Sequence, residues 1–171
     1  IWNESELITK NFSKKISRTL SKPERKFAAD MIYGMLAGGS CLLTDIVDQL
    51  HEPSQKINVV DRLSRHLAEG TSQDALHSYL TLVKKWCPNQ PVIHIDDSDI
   101  VKPDGYKFES LGRVRDGSES TNKKSVYQKG YQVTEATVLT KNNHPVSIFS
   151  KIYSSTEKDF VSSNHETFSA M

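Results

Sequence analysis

The chain has 171 residues, 36% of them hydrophobic and 25% charged, with a formal net charge of +1. That balance excludes a disordered tail and allows one domain or two small ones. Charge is spread evenly, with +2 over residues 1–90 (12 basic, 10 acidic) and −1 over residues 91–171 (10 basic, 11 acidic). A nucleic-acid partner would therefore have to be held by local patches. No run approaches the roughly 18 apolar residues of a membrane span, and Ile1-Trp-Asn-Glu-Ser-Glu6 lacks the basic-then-apolar layout of a signal peptide. A cytoplasmic protein with no membrane partner is expected. Cys41 and Cys87 lie far apart without zinc spacing, so reduced thiols in or near a core are expected.

Residues 5–90 read as helical, and residues 1–90 as a helical, candidate DNA-binding domain. Ser21 can cap and Pro23 suits a first turn, and Phe27, Met31, Ile32, Met35 and Leu36 then form one apolar stripe. Gly38-Gly39 breaks this helix. Ser40 or Thr44 can start a second helix carrying Leu42, Leu43, Ile46, Val47 and Leu50, which Pro53 closes. A third places Val59, Val60, Leu63 and Leu67 inward, with Gly70 as its stop. A fourth, Asp74 to Trp86, carries Leu76, Tyr79, Leu80, Val83 and Trp86. Four short helices make a small bundle, and the second and third can form a helix-turn-helix whose reading helix exposes Lys56, Asn58, Arg62, Arg65 and His66. A solvated face of ordinary charge content is the competing reading.

From Pro91 the period changes to two. Pro91-Val-Ile-His-Ile95 reads as a strand that ends on Asp96-Asp-Ser-Asp99. Alternation puts Ile93, Ile95, Asp97 and Asp99 on one half-buried face and Val92, His94 and Asp96 on the other. A carboxylate cluster delivered to one point by a strand can hold a divalent metal, whereas the bland alternative is a turn or a cap. A polar stretch from Lys102 to Tyr127 follows, too long for a compact turn and read as a functional or mobile loop. Gln128 to Leu139 is a second strand, Lys141 to Pro145 a turn, and Val146 to Tyr153 the hairpin partner. Ser163 with Glu166 has the spacing of a capping box that opens a helix. His94 and His144 lack ligand spacing and are read as satisfied or exposed.

Several segments together resemble DDE transposases of bacterial insertion sequences. Ile93-His-Ile-Asp-Asp97-Ser98-Asp-Ile-Val-Lys102-Pro103 is similar to their first catalytic block. Further matches are Gly112-Arg-Val-Arg115-Asp116-Gly117-Ser118, Lys129-Gly-Tyr131-Gln-Val-Thr-Glu135-Ala136 and Ile152-Tyr-Ser-Ser155-Thr-Glu157-Lys-Asp-Phe160. Leu42-Leu43-Thr-Asp45-Ile46 and Asp61-Arg62-Leu63-Ser-Arg65 are similar to the helical N-terminal region of the group. The likeness covers nearly the whole chain. It implies an α+β or α/β protein in which a helical bundle precedes the first half of an RNase H-like fold, residues 91–171, with three strands and a starting helix. By the same resemblance Asp97 is the first metal-binding aspartate, with Asp96 as the fallback, and the second aspartate and the glutamate follow the helix that starts near Ser163. Asp116, Glu157, Asp159 and Glu166 do not match those motifs.

The reaction implied is metal-dependent phosphodiester cleavage at a transposon end, then strand transfer into target DNA, with two Mg²⁺ or Mn²⁺ ions in the complete protein. One carboxylate holds magnesium weakly, so these residues alone are expected to be inactive as a nuclease. The double-stranded DNA partner would be met by Lys102, Lys107, Arg113, Arg115, Lys123, Lys124 and Lys129 at phosphates. Arg62 and Arg65 are the candidates for reading bases. Self-association is expected, because a sheet without its next strand leaves an edge and an apolar face open. The alternatives are a non-catalytic DNA-binding or interaction module of a truncated element, and an RNase H-like nuclease unrelated to transposition.

Overall fold

A computed structural model describes residues 4–70 and 72–169. They contain six helices and one open four-stranded antiparallel sheet, a mixed α+β architecture. Two compact units meet in sequence between Lys85 and Trp86. Among the described residues, no single helix is long and apolar enough to cross a membrane.

The first unit is built from α1 (Glu4–Ile16), α2 (Lys22–Gly38), α3 (Leu43–Leu50), α4 (Lys56–Glu69) and α5 (Gln73–Trp86). Ser21 precedes α2, and its backbone N–H donates to Glu24 Oε2 at 2.9 Å, the return arm of a capping box. The helix runs through Gly38 and ends on Gly39, whose φ of 60° supplies the left-handed cap. Leu42 then caps α3, while Ser40 ties the turn by donating to Asp45 Oδ2 at 2.7 Å. Phe27, Ile46, Val47, Val59 and Leu63 form the core, with Met31, Met35, Leu43, Leu50 and Val60 packed around it. A Cβ on Gly34 would stand 2.4 Å from Ile46 Cγ2, so only glycine lets α2 and α3 approach this closely.

Five apolar residues named for these helices do not go inward as expected, Leu42 and Trp86 among them. Leu36, Leu67 and Leu76 are 69%, 49% and 46% exposed. The bundle is thin, and the fixed 3.6-residue pitch carries the ends of each stripe away from the neighbours that cover its middle. A further helix, α1, precedes the four that periodicity delimits. It is amphipathic only weakly, and Leu7 and Ile8 are exposed on it.

The second unit contains β1 (Ile93–Val101), β2 (Gly112–Arg115), β3 (Tyr127–Leu139), β4 (Pro145–Tyr153) and α6 (Ser163–Ser169). The long strand β3 is central. Along one edge it pairs antiparallel with β1, from Ile93 opposite Val138 to Val101 opposite Gly130. Along the other it meets β4, Gln132 to Leu139, and then β2, Tyr127 to Gly130. A Cβ on Gly130 would lie 2.2 Å from the Ile100 carbonyl oxygen and 2.6 Å from Val114 Cγ2, which reserves this position for glycine. One sheet face buries Thr134, Ala136, Val138, Tyr153 and Val114. Phe160 stacks on Tyr153 with ring centroids 6.0 Å apart.

Three sequence expectations are corrected here. The first strand does not stop before the acids, because β1 continues through Asp96, Asp97 and Asp99 to Val101, so these acids form neither a turn nor a cap. The partner β3 faces every residue of β1 through its Gly130 to Val138 stretch, and that continuous ladder outweighs the weak strand propensity of aspartate. Second, the stretch between Lys102 and Tyr127 is not one loop, since it contains β2 and an ordered connection onto β3. Third, α6 is entered from Ser162, whose hydroxyl accepts the His165 N–H at 3.1 Å, while Glu166 turns away to Lys151.

Candidate functional site

The register of the sheet builds a lateral row of polar side chains. Asp97 of β1 stands opposite Thr134 of β3, and Thr134 stands opposite Lys151 of β4. All three project to the face on which α6 lies. Thr134 is buried there but Asp97 and Lys151 stay exposed, so this end of β1 is not the half-buried face that alternation predicts. The Thr134 hydroxyl, fully buried, donates to Asp97 Oδ1. The other carboxylate oxygen faces the Thr167 hydroxyl of α6 at 2.8 Å, and that hydroxyl also lies 3.0 Å from the Ser163 carbonyl. A hydroxyl carries one hydrogen, so Thr167 divides it between the two acceptors. At the far end of the row the Lys151 ammonium pairs with Glu166, whose side chain is only 7% exposed. That hydrogen bond raises the Lys151 pKa above its ordinary value against a smaller opposing effect of desolvation.

Asp99 shares the Asp97 face two positions along. Burial raises its pKa above the usual carboxylate range, the Arg115 charge pulls it back, and the Asp97 charge pushes it up again. Asp96 points to the opposite face, across from Glu135, and accepts the N–H of Asp97 at 3.0 Å. Asp96 and Asp97 therefore do not converge on one ion. The described residues do not by themselves fit a magnesium or manganese site, because they contain no group of three or more His, Cys, Asp or Glu side chains placed to hold a metal, and magnesium needs several oxygen ligands to replace its waters.

No family model, curated protein or solved structure matches this chain. The functional reading therefore rests on its own residues.

The cations named from sequence fall into four places. Lys102, Lys129 and Arg113 form a second lateral row on the face opposite Asp97, since Arg113 pairs with Lys129 and the Lys102 N–H donates to the Lys129 carbonyl at 2.7 Å. Arg115 pairs with Tyr127 on that same face, and the Arg113 guanidinium lies 4.7 Å from the centroid of the Tyr127 ring. Lys107 sits in the tight turns that follow β1. Lys123 and Lys124 occupy the tip of the connection from β2 to β3, closed by a bridge between Thr121 and Lys124.

On α4, Arg62 and Arg65 are placed differently. Arg62 bonds to Asp30 Oδ2 at 2.9 Å and Glu52 Oε1 at 2.7 Å, and Lys26 meets the same two carboxylates at 3.0 and 2.8 Å. Burial lowers the Lys26 pKa, but Glu52 and Asp30 together outweigh it and the net shift is upward. Arg62 is thus an internal tie from α4 to α2 and to the turn after α3. His66 stacks on Phe27 at 5.1 Å, and Lys56 pairs with Asp48 at 2.6 Å. Arg65 and Asn58 face solvent.

Sequence reasoning did not single out Thr134, Lys151 or Thr167. Counting register back from the turn at Lys141 to Pro145 would have approached Lys151, but the bulge between Ala136 and Thr137 shifts that count by one. Thr167 becomes a neighbour of Asp97 only through the chain reversal after β4.

Proposed function

We propose that this chain is the N-terminal portion of a DDE-type transposase, with Asp97 as the first carboxylate of an RNase H-like strand-transfer site. The observation that carries this reading is the position of Asp97: mid-strand on an edge-paired β1, aligned with a buried hydroxyl of the central strand, on the face that the next helix covers. The order β1, β3, β4 and α6 supports this reading, with the short β2 added between β1 and β3 as a fourth strand that the resemblance does not imply. The helical unit and the exposed cations of the second unit would hold double-stranded DNA. Arg65 and Asn58 are better placed than Arg62 to meet it, because Arg62 is engaged internally. The second aspartate and the glutamate are expected after α6, and no chemical step is assigned to the described residues alone.

The test is the reading frame continued past Met171. It should encode an apolar strand ending in aspartate and, later, a helical glutamate. Protein made from that longer frame should nick transposon-end DNA with Mg²⁺ or Mn²⁺, and Asp97→Ala should lower the rate at least ~10³-fold while Asp96→Ala leaves most of it. Full nicking by the Asp97→Ala protein, or a stop codon directly after Met171, rejects the reading.

A further inference from the structure

We propose that the sheet face opposite Asp97 is a platform for single-stranded nucleic acid, with cations for its phosphates and exposed rings for its bases. This goes beyond the proposed activity and holds whether or not Asp97 is catalytic. The first observation is the row Lys102, Lys129, Arg113, with one cation on each of three adjacent backbone segments. Like charges directly opposite in a sheet are destabilising. Here three stand side by side, all exposed, and none forms an ion pair with a carboxylate among the described residues. A row of this kind is relieved by an anion with a repeating charge, which is the chemistry of a phosphodiester backbone.

The second observation is independent of charge. Tyr127, on the same face, is 50% exposed, and Tyr106 and Phe108 are 81% and 56% exposed. The backbone just after Phe108 reaches the edge of this face at Glu109, whose carbonyl accepts from the Tyr131 hydroxyl, and Tyr131 alternates with Lys129 and Tyr127 along β3. The carbonyl of the following residue, Ser110, accepts from the Thr156 hydroxyl at 2.8 Å. The turn is fixed by the Gly105 N–H donating to the Lys102 carbonyl at 3.1 Å and the Phe108 N–H to the Gly105 carbonyl at 3.0 Å. Aromatic rings interleaved with cations are what an unpaired strand uses, since its bases are free to stack, whereas a duplex keeps its bases stacked inside and offers phosphates alone. The rings decide for a single strand over a duplex.

The experiment is fluorescence anisotropy of the whole chain with labelled oligothymidylate and with a duplex of equal length, at two salt concentrations. The oligothymidylate should bind more tightly than the duplex. Tyr106→Ala combined with Tyr127→Leu should weaken oligothymidylate binding about thirtyfold or more and leave duplex binding within about twofold. Arg113→Gln with Lys129→Gln should weaken both and flatten the salt dependence by about 0.7 per charge for the single strand. Asp97→Ala should change neither affinity, which separates failure of this inference from failure of the transposase reading. Circular dichroism confirms folding of each variant, and Tyr127→Phe, which keeps the ring, should bind like the parent. Equal affinity for duplex and single strand, or ring variants that bind oligothymidylate like the parent, overturns the proposal.

Discussion

Arg62 and Arg65 lie three residues apart on one helix, yet the structure gives them opposite tasks. Arg62 bridges two partly buried carboxylates, so removing its guanidinium leaves Asp30 and Glu52 with Lys26 as their remaining partner. Arg62→Ala should cost about 1–3 kcal/mol, less than a fully buried pair because the site stays partly wet. Arg65→Ala should stay within about 0.5 kcal/mol of the parent, as exposed substitutions do. Urea titration followed by helical circular dichroism measures both, and an Arg62→Ala effect within about 0.5 kcal/mol of the parent would show that the Arg62 cluster carries no stability. Sequence alone could not separate the two arginines. Their spacing puts both on the polar side of α4, and what distinguishes them is Asp30, 32 residues away along the chain.

Elements were legible where local chemistry agrees with tertiary demand. The capping pair Ser21 and Glu24, the glycine stops at Gly39 and Gly70, and the turn between β3 and β4 are all local, and all are where the sequence puts them. β1 is legible as a strand but not its extension through the acids, and β2 is not legible at all, because those residues are strands by virtue of their partner. The short strand β2 continues into a connection organised by Asp116, which is buried. The Ser118 hydroxyl does most to hold the Asp116 carboxyl below the usual carboxylate range. Burial opposes this, and the Glu119 and Ser118 N–H groups and the Gln128 amide add to the lowering. A carboxyl whose folded pKa is depressed contributes stability above its unfolded value, about 3.9, and loses it as pH falls through the lower folded value. The amide resonances of Ser118 and Glu119 should therefore stay unchanged on acidification to about pH 4 and move only below it, with Asp116→Asn abolishing that titration. Movement centred above the ordinary aspartate value would contradict this assignment.

At the scale of the whole molecule, the switch from helical to strand periodicity near residue 90 lies close to the junction of the two compact units. The site was legible only in its first residue, because Asp97 announces itself by its strand while Thr134, Lys151 and Thr167 join it through long-range register. Among the described residues β1 is paired along one edge only, and Val92 and Ile93 at its start are 57% and 52% exposed. An open edge beside exposed apolar side chains favours pairing with another strand. The sedimentation coefficient should thus rise across a hundredfold range of concentration, and Val92→Lys with Ile93→Lys should hold it constant. A parent protein whose coefficient does not change would exclude association through this edge.

The central strand works as a ruler. β4 and β2 are laid against one of its edges end to end, and their boundary falls near Gly130, where β1 also finishes. Every neighbour is gauged against the same strand, β2 along Tyr127 to Gly130 and β4 along Gln132 to Leu139, so the segments linking them carry little of the alignment. Insertions at Lys141 to His144, or around Thr121 to Lys124, would lengthen the outline of the domain without sliding one side chain past another. A single residue added between Tyr131 and Thr134 would throw Asp97 and Lys151 onto opposite sides from their present partners.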